Sequence, residues 1–420
     1  MNEAATPQNR HTVVIIGAGT AGVSVAAALR RSLPRLDIAV VEPSREHYYQ
    51  PAWTLVGGGQ YALEKTRRDV AGLLPESVRL IAAEVVSFAP DDNEIILNDG
   101  SRLHYQFLVV AAGIQLNWAA IEGLPETLGK NGVSSNYRSD LAPYTWECIQ
   151  NLKAGTAVFT QPDTPIKCAG APQKALYLAA DYLRRQGRKA DLRFYTAAGA
   201  MFGVPFYSRA LDQVMAGYEA TPVFSHKLLA VDGAARTATF ETGSGEEKRQ
   251  EVVRFDFLHV VPPQSAPDFI RNSVLADAAG WLEVDKSSLQ HTRHANIFGL
   301  GDCTSTPNSK TAAAVKSQVP VVVGNVLSAL QGGGNVLEYD GYAACPLTTS
   351  AGKVLLAEFC YGGAVSPSLP LDPRVPRRLY WWLKKRLLPY FYWNVLIRGK
   401  TLKQTHKQRS FPDTLPSIQP

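Results

Sequence analysis

Apolar positions along this chain fall into short unbroken runs separated by stretches of helical spacing. Val13 to Ile16 is such a run, the pattern of a buried strand; it gives way to "GAGTAG" and then to Ala, Val and Leu at helical intervals as far as Leu33. A second strand, "IAVVE", follows at 38–42. Similar runs at 107–113 ("FLVVAAG"), 155–162 ("GTAVFTQP") and 295–303 ("ANIFGLGDC") predict further buried strands. A helix is predicted over 171–185, with Pro172 near its first turn. Strands alternating with helices place the chain in the α/β class. "ETGSGEEKRQE" (241–251) reads as an exposed hairpin turn and "QGGGN" (331–335) as a linker.

A length of 420 residues with 45% hydrophobic content suits two or three domains with large cores. The five cysteines (Cys148, Cys168, Cys303, Cys345, Cys360) are odd in number and widely spread. They form no CxxC pair and stand near no histidine cluster at zinc-ligand spacing, so neither a disulfide framework nor a metal site is expected. The opening "MNEAATPQNRH" carries an acid and lacks the apolar stretch of a secretory signal, and no run of about 18 apolar residues offers a membrane span. The net charge of +6 is unevenly placed. Eleven Lys and Arg and no Asp or Glu lie between Pro373 and Pro412, which leaves the rest of the chain acidic by five.

The first strand and helix carry a nucleotide fingerprint. Gly17 permits the tight turn, Gly19 lets a pyrophosphate approach backbone N–H groups at the helix N-terminus, and Gly22 lets helix and strand pack closely; Ala18, Thr20 and Ala21 complete the loop. Glu42 ends the second strand 20 residues after Gly22, where a carboxylate bonds a ribose hydroxyl. A lone GxGxxG can be an unliganded glycine turn, but strand, helix and acid in register predict a bound dinucleotide. The run ending at Ala112 and Gly113, and the later one containing Gly301 and Asp302, resemble the two-dinucleotide-domain flavoproteins of the disulfide reductase group. That resemblance implies FAD, with Asp302 on the ribityl chain.

Nicotinamide-using members of that group repeat the glycine turn in an inserted domain. Here the strand at 155–162 runs instead into "DTPIKCAGAPQKALYLAADYLRR", without a glycine-rich phosphate turn. Cys168 stands just ahead of the 171–185 helix and is flanked by Lys167 and Lys174, a setting that favours the thiolate and suits a redox nucleophile. Cys345, in "YDGYAACPLTTSAGKVLLAEF", is a candidate partner 177 residues further on; sequence alone does not show that the two meet.

These segments, together with "EPSREHYYQPAWTLVGGG", "FGVPFYSRAL", "LHVVPPQSAPD", "ADAAGWLEVDKSSLQH" and "GLGDCTSTPNSKTAAAV", resemble the sulfide:quinone oxidoreductase family over nearly the whole chain, and specifically its type II branch. Other branches carry a third functional cysteine near the end of the first domain, and none occurs here before Cys148. The resemblance implies that Cys168 and Cys345 are the active-site pair. It also implies FAD contacts from the first glycine turn, Glu42, Gln50, Val85, Val86, Asp302, Lys310, Thr311, Ala312 and Ala313. The implied reaction is attack of hydrosulfide on a Cys168–Cys345 disulfide, leaving a persulfide on Cys345. The extra sulfur then passes to an acceptor such as a low-molecular-weight thiol or sulfite, and two electrons reach a membrane quinone (ubiquinone or menaquinone) through FAD. Cys148, Cys303 and Cys360 read as packing residues.

The basic tail interleaves Leu379, Trp382, Leu383 and Leu387 with Arg378, Lys384, Lys385 and Arg386. After Pro389 comes the apolar-aromatic group Tyr390, Phe391, Tyr392, Trp393, Leu396 and Ile397. Short amphipathic helices with basic flanks suit an anionic membrane surface better than either competing reading, a C-terminal helix packed on the body or a nucleic-acid patch, with Phe391 and Trp393 as expected quinone-lining residues. The expected architecture is therefore α/β, with two Rossmann-like dinucleotide-binding domains plus a C-terminal amphipathic membrane-binding segment. The flavin domain covers 1–140 and resumes at 281–335, a second Rossmann-like domain covers 141–280, and the tail segment covers 336–420. The expected location is the bacterial cytoplasmic membrane, because the N-terminus lacks a transit-like composition. The alternatives are a single-subunit NADH:quinone oxidoreductase, a soluble sulfide dehydrogenase with a cytochrome acceptor, and a non-catalytic flavin-binding membrane scaffold. The missing second glycine turn, the amphipathic tail and the two cysteines count against them in turn.

Overall fold

In the computed structural model, which describes residues 9–400, 406–412 and 414–418, the first apolar run becomes the strand Arg10–Ile16 inside a seven-stranded sheet. Val13, Val14 and Ile15 are fully buried there, which is why the run is unbroken rather than alternating. Parallel strands Ile38–Val41 and Arg102–Val110 flank it, and Arg79–Ile81 extends the sheet beyond Ile38–Val41. The far edge of Arg102–Val110 is divided. Its first residues pair antiparallel with Glu94–Leu97, which continues to Val85–Ala89, while its last residues pair parallel with Ile297–Gly299. The Gly301–Asp302 loop is thus delivered to the same sheet end as the fingerprint turn.

The helix Thr20–Ser32 packs against the helix Ala312–Leu330. Among the described residues Ala312–Leu330 is the one helix long and apolar enough to cross a bilayer by length and composition. Its inward residues include Asn325, whose side chain bonds the Ser288 and Leu337 carbonyls and the Val336 and Leu337 amides, so it reads as a core helix.

A second, five-stranded sheet is parallel throughout, in the order Val133–Ser134, Phe257–His259, Thr156–Gln161, Asp191–Thr196, Thr221–Val223. The helix Ala171–Arg185 packs against it with the bounds expected from the sequence. The hairpin turn expected at 241–251 joins strands Thr237–Thr242 and Arg249–Arg254 of a three-stranded antiparallel sheet. Beyond the 331–335 linker an antiparallel hairpin, Ala343–Ser350 with Lys353–Phe359, packs on the Ala171–Arg185 helix and carries Cys345 opposite Ala357.

The tail departs from the expectation of short helices. Arg378 to Leu396 is one continuous helical path, in which Leu383–Leu387 and Tyr392–Leu396 widen into π-type turns. Proline lacks an amide hydrogen and crowds the preceding turn, and wider turns on either side absorb that defect without ending the helix. Leu379, Trp382, Leu387, Leu388 and Tyr390 face outward, whereas Tyr380, Lys384, Tyr392, Leu396 and Ile397 are buried. At its end Gly399, with φ +65°, comes so close to Ala27 and Ala28 that a side chain there would strike the backbone of the fingerprint helix. The stretch 401–405 of the basic tail lies outside the described residues.

Candidate active site

The loop between Thr156–Gln161 and Ala171–Arg185 brings Cys168 to the edge of the C-terminal hairpin, where its Sγ lies 3.1 Å from Cys345 Sγ. Both are free thiols. Cys168 takes φ +86°, a left-handed conformation that a cysteine adopts only when its surroundings enforce it. Gly170 makes room for the pair: a Cβ there would stand 3.0 Å from Cys345 Sγ and overlap Leu347 Cδ2.

Lys174, one turn into the helix and 4% exposed, donates from Nζ to Cys168 Sγ at 3.1 Å. The Cys345 thiol hydrogen bond, followed by the charges of Lys174 and Lys384, holds Cys168 well below the ordinary thiol range against the opposing effect of burial. Cys345, donating to that thiolate and buried, is held well above it. The pair is therefore asymmetric, with the negative charge on Cys168. Burial opposes the charge on Lys174, but the Cys168 thiolate beside it dominates and raises its pKa.

Lys384 was expected on the solvent-facing basic flank of the tail. It is instead 6% exposed, donates from Nζ to the Pro346 carbonyl at 2.8 Å, and stands close enough to the thiols to help lower the Cys168 pKa. Burial, and then repulsion from Lys174, push its pKa well down. Helical spacing alone assigns Lys384 to a face without showing what that face meets. Tyr137, also unassigned in the sequence, donates to the Lys167 carbonyl at 3.2 Å, and its pKa is raised by burial and then by the two cysteines.

The expected dinucleotide residues gather at the end of the first sheet. At Gly17, φ +95°, a Cβ would stand 2.6 Å from Ala111 O, and at Gly22 it would overlap the Gly17 carbonyl, so both glycines are required by close packing. At Gly19 and Gly113 a Cβ would meet nothing within 4 Å, so the backbone there is open to a ligand. Glu42 accepts from Ala18 N at 2.7 Å and from Ser44 N at 2.9 Å. The Gly301 amide donates to Gln318 Oε1 at 2.9 Å, and a Cβ on Gly301 would lie 3.4 Å from Ala21 Cβ, which brings the two loops together.

Thr311 caps the Ala312–Leu330 helix by accepting from Ala314 N at 3.1 Å, with Ala312 and Ala313 as the first helical residues. Asp302 has its pKa raised by burial, with Lys310 and Lys167 pulling it back. Lys310 Nζ donates to Thr304 O at 3.0 Å and lies 3.9 Å from the Trp281 ring centre. Gln50 accepts from Lys167 Nζ at 2.8 Å, which ties the flavin and cysteine segments; Lys167 is lowered to about 8 by burial, opposed by Asp302. Val85 is buried at the start of its strand and Val86 is 47% exposed. Open glycines, a helix N-terminus free of acids and a half-buried Asp302 beside the buried Lys310 fit FAD.

Phe391 and Trp393 are half-buried and pack on the first core, with Trp393 5.8 Å from the His47 ring and 6.4 Å from Tyr49. Tyr392 between them points inward, its hydroxyl 2.6 Å from His47 Nε2 and 2.9 Å from Thr20 Oγ1, while His47 Nδ1 lies 2.8 Å from Ala18 O. The tail helix is thus bonded to the fingerprint turn. Cys303 is buried and weakly bonded to the Val110 and Leu300 carbonyls, and burial pushes its pKa up to about 11, as for Cys148.

Residues 11–143 match the pyridine nucleotide-disulphide oxidoreductase family. A mitochondrial sulfide:quinone oxidoreductase of Dictyostelium discoideum is 42% identical over 94% of this chain and 87% of its own length. Its counterpart in Mus musculus is 39% identical, over 94% and 88%. The chain belongs to the sulfide:quinone oxidoreductase family. A solved sulfide:quinone oxidoreductase of Aquifex aeolicus has the same fold, with a TM-score of 0.78 at 20% identity over 93% of this chain and 92% of that one. Membership of this FAD-dependent family makes FAD the cofactor. The comparisons also correct the expected location: the Dictyostelium and Mus relatives are mitochondrial, which points to the mitochondrion rather than a bacterial cytoplasmic membrane. The bacterial expectation rests on the composition of the first residues alone, and so short a stretch says less about location than likeness along 94% of the chain.

Proposed function

We propose that Cys168 and Cys345 are the redox pair at which this member of the sulfide:quinone oxidoreductase family oxidises sulfide, with FAD as cofactor and a quinone as electron acceptor. The 3.1 Å separation of the two sulfurs beside Lys174 carries this reading. In the oxidised enzyme hydrosulfide attacks Cys345 Sγ of the disulfide. The S–S bond breaks, Cys345 keeps the new sulfur as a persulfide, and Cys168 leaves as the thiolate. The direction follows from the asymmetry of the pair, since the sulfur with the lower pKa is the better leaving group and Lys174 bonds it. Lys384 Nζ, held on the Pro346 carbonyl next to Cys345, offers a further hydrogen-bond donor to the anionic nucleophile. A low-molecular-weight thiol or sulfite removes the outer sulfur, leaving two thiol sulfurs whose re-oxidation to the disulfide releases two electrons. FAD, when bound, supplies the two-electron relay between this pair and the quinone. Gly17 to Gly22, Glu42, Asp302, Lys310 and the start of the Ala312–Leu330 helix hold it, with Gln50 and the Val85–Val86 strand alongside.

The parallel centre of the mixed seven-stranded sheet and the parallel five-stranded sheet support a division into two Rossmann-like domains, 1–140 with 281–335, and 141–280, followed by the 336–420 segment. The outward residues Leu379, Trp382, Leu387, Leu388 and Tyr390 lie among Arg378, Lys385 and Arg386 and form the surface that meets an anionic membrane. Phe391 and Trp393, between that surface and the fingerprint turn, line the approach of the lipid quinone. The deciding experiment is anaerobic bleaching of the flavin by sulfide and, separately, by NADH, each followed by a soluble quinone. Bleaching by sulfide alone, reversed by quinone and abolished in Cys168→Ser and Cys345→Ser, is expected; wild-type bleaching in either variant refutes the cysteine mechanism.

A further inference from the structure

Three residues that the sulfide chemistry does not use meet at the open end of the hairpin that carries Cys345. Asp340 lies just before the strand Ala343–Ser350, Cys360 just after Lys353–Phe359, and His406 comes from the chain beyond the tail helix. Their ligand atoms all lie within 4.8 Å of one another. His406 Nδ1 is 2.8 Å, and Cys360 Sγ 3.6 Å, from the same oxygen, Asp340 Oδ2. The other oxygen, Oδ1, accepts from Tyr342 N at 3.0 Å, which turns Oδ2 toward the histidine and cysteine. The His406 ring lies flat on Tyr342, with centroids 3.8 Å apart and planes 2° from parallel, so its rotation is fixed. Outer contacts that orient the carboxylate and the imidazole in this way are what a metal site needs around it.

We propose that Asp340, Cys360 and His406 bind a divalent cation of the zinc class, with solvent as the fourth ligand. A thiolate, an imidazole nitrogen and a carboxylate oxygen together suit zinc, whereas magnesium and calcium take oxygen ligands. Metal–ligand bonds of about 2.0–2.3 Å in a tetrahedron separate the ligand atoms by roughly 3–4 Å, the range into which these two contacts fall after small adjustments. On binding, the Cys360 thiol proton leaves to solvent, the proton on His406 Nδ1 moves to Nε2 or to solvent, and nothing is oxidised or reduced. The ion clips the base of the Cys345 hairpin to the segment that follows the membrane-facing helix. The sequence does not predict such a site because the three ligands are far apart in the chain and follow no zinc-ligand spacing.

The test is a titration of the purified, FAD-loaded, sulfide-free full chain with Co2+, whose tetrahedral thiolate-bound form absorbs to the red of the flavin. The expected result is one equivalent of such absorption per chain, displaced by Zn2+. In Cys360→Ser and His406→Ala it is lost and Co2+ affinity falls about tenfold or more, while FAD content and sulfide-dependent quinone reduction stay at the level of metal-free wild type. Asp340→Asn, which keeps the carboxamide in place, tests the third ligand if either variant folds poorly. Absorption that survives in Cys360→Ser but disappears when Cys168 and Cys345 are both Ser would place the metal on the redox pair and overturn the proposal. So would the absence of any tetrahedral absorption in wild type.

Discussion

The chemistry proposed for Cys168 depends on its charge, and that charge depends on a few atoms around it. Replacing Lys174 by Met removes the buried ammonium 3.1 Å from the sulfur. In the reduced enzyme the Cys168 pKa then rises, and the pH at which its thiol becomes reactive to iodoacetamide moves up with it. Each unit of that move is about a tenfold loss of alkylation rate on the acid side, checked by alkylation rates of the reduced protein across pH. The sign for stability follows the same shift. Because the folded thiol loses its proton below the ordinary thiol range, its charge stabilises the reduced fold fully above that range, and the contribution is lost as pH falls through the depressed value. Gly170→Ala should also disable the pair, since its Cβ would press on Cys345 Sγ and Leu347. The expected cost is about 1–3 kcal/mol of stability, read from denaturant unfolding, with loss of flavin bleaching by sulfide. At this scale the sequence was informative about Cys168 and Lys174, which lie on one helix start. It said nothing of Gly170's contact with Leu347, because that contact crosses between elements.

At the scale of elements, the tail helix joins the outside of the protein to the flavin turn. Tyr392→Phe removes a buried hydroxyl bonded to His47 Nε2 and Thr20 Oγ1, which costs about 1–3 kcal/mol, and should weaken FAD retention measured by dilution of the holoprotein. Substituting Leu379, Trp382, Leu387 and Tyr390 by Ser should release the protein from vesicles containing anionic lipid while leaving sulfide bleaching intact. Binding equal to wild type would refute the membrane role of this face. Truncation after Arg374 is a less specific test, because it also removes Lys384 from the cysteines and the Pro412 and Thr414 carbonyls that bond Arg374. The periodicity of Leu379, Trp382 and Leu387 was legible as a single stripe. Its outward direction was not, since helical spacing fixes which residues share a face and only packing fixes which way the face points.

For the molecule as a whole, local order was legible and long-range meeting was not. The buried parallel strands, the fingerprint helix, the helix behind Cys168, and the residue types of both the nucleotide turn and the thiol site can all be read from the chain. Each is set by interactions a few residues apart: apolar runs, glycine conformations, and lysines one turn from a thiol. Long-range packing is what sets the sulfurs of Cys168 and Cys345 3.1 Å apart, turns Lys384 inward to join them, bonds Tyr392 to the fingerprint turn, and brings Asp340, Cys360 and His406 together. Those pairs are far apart in the chain, and their approach is set by how sheets, hairpin and tail helix bury their apolar faces against one another. No spacing along one segment encodes that.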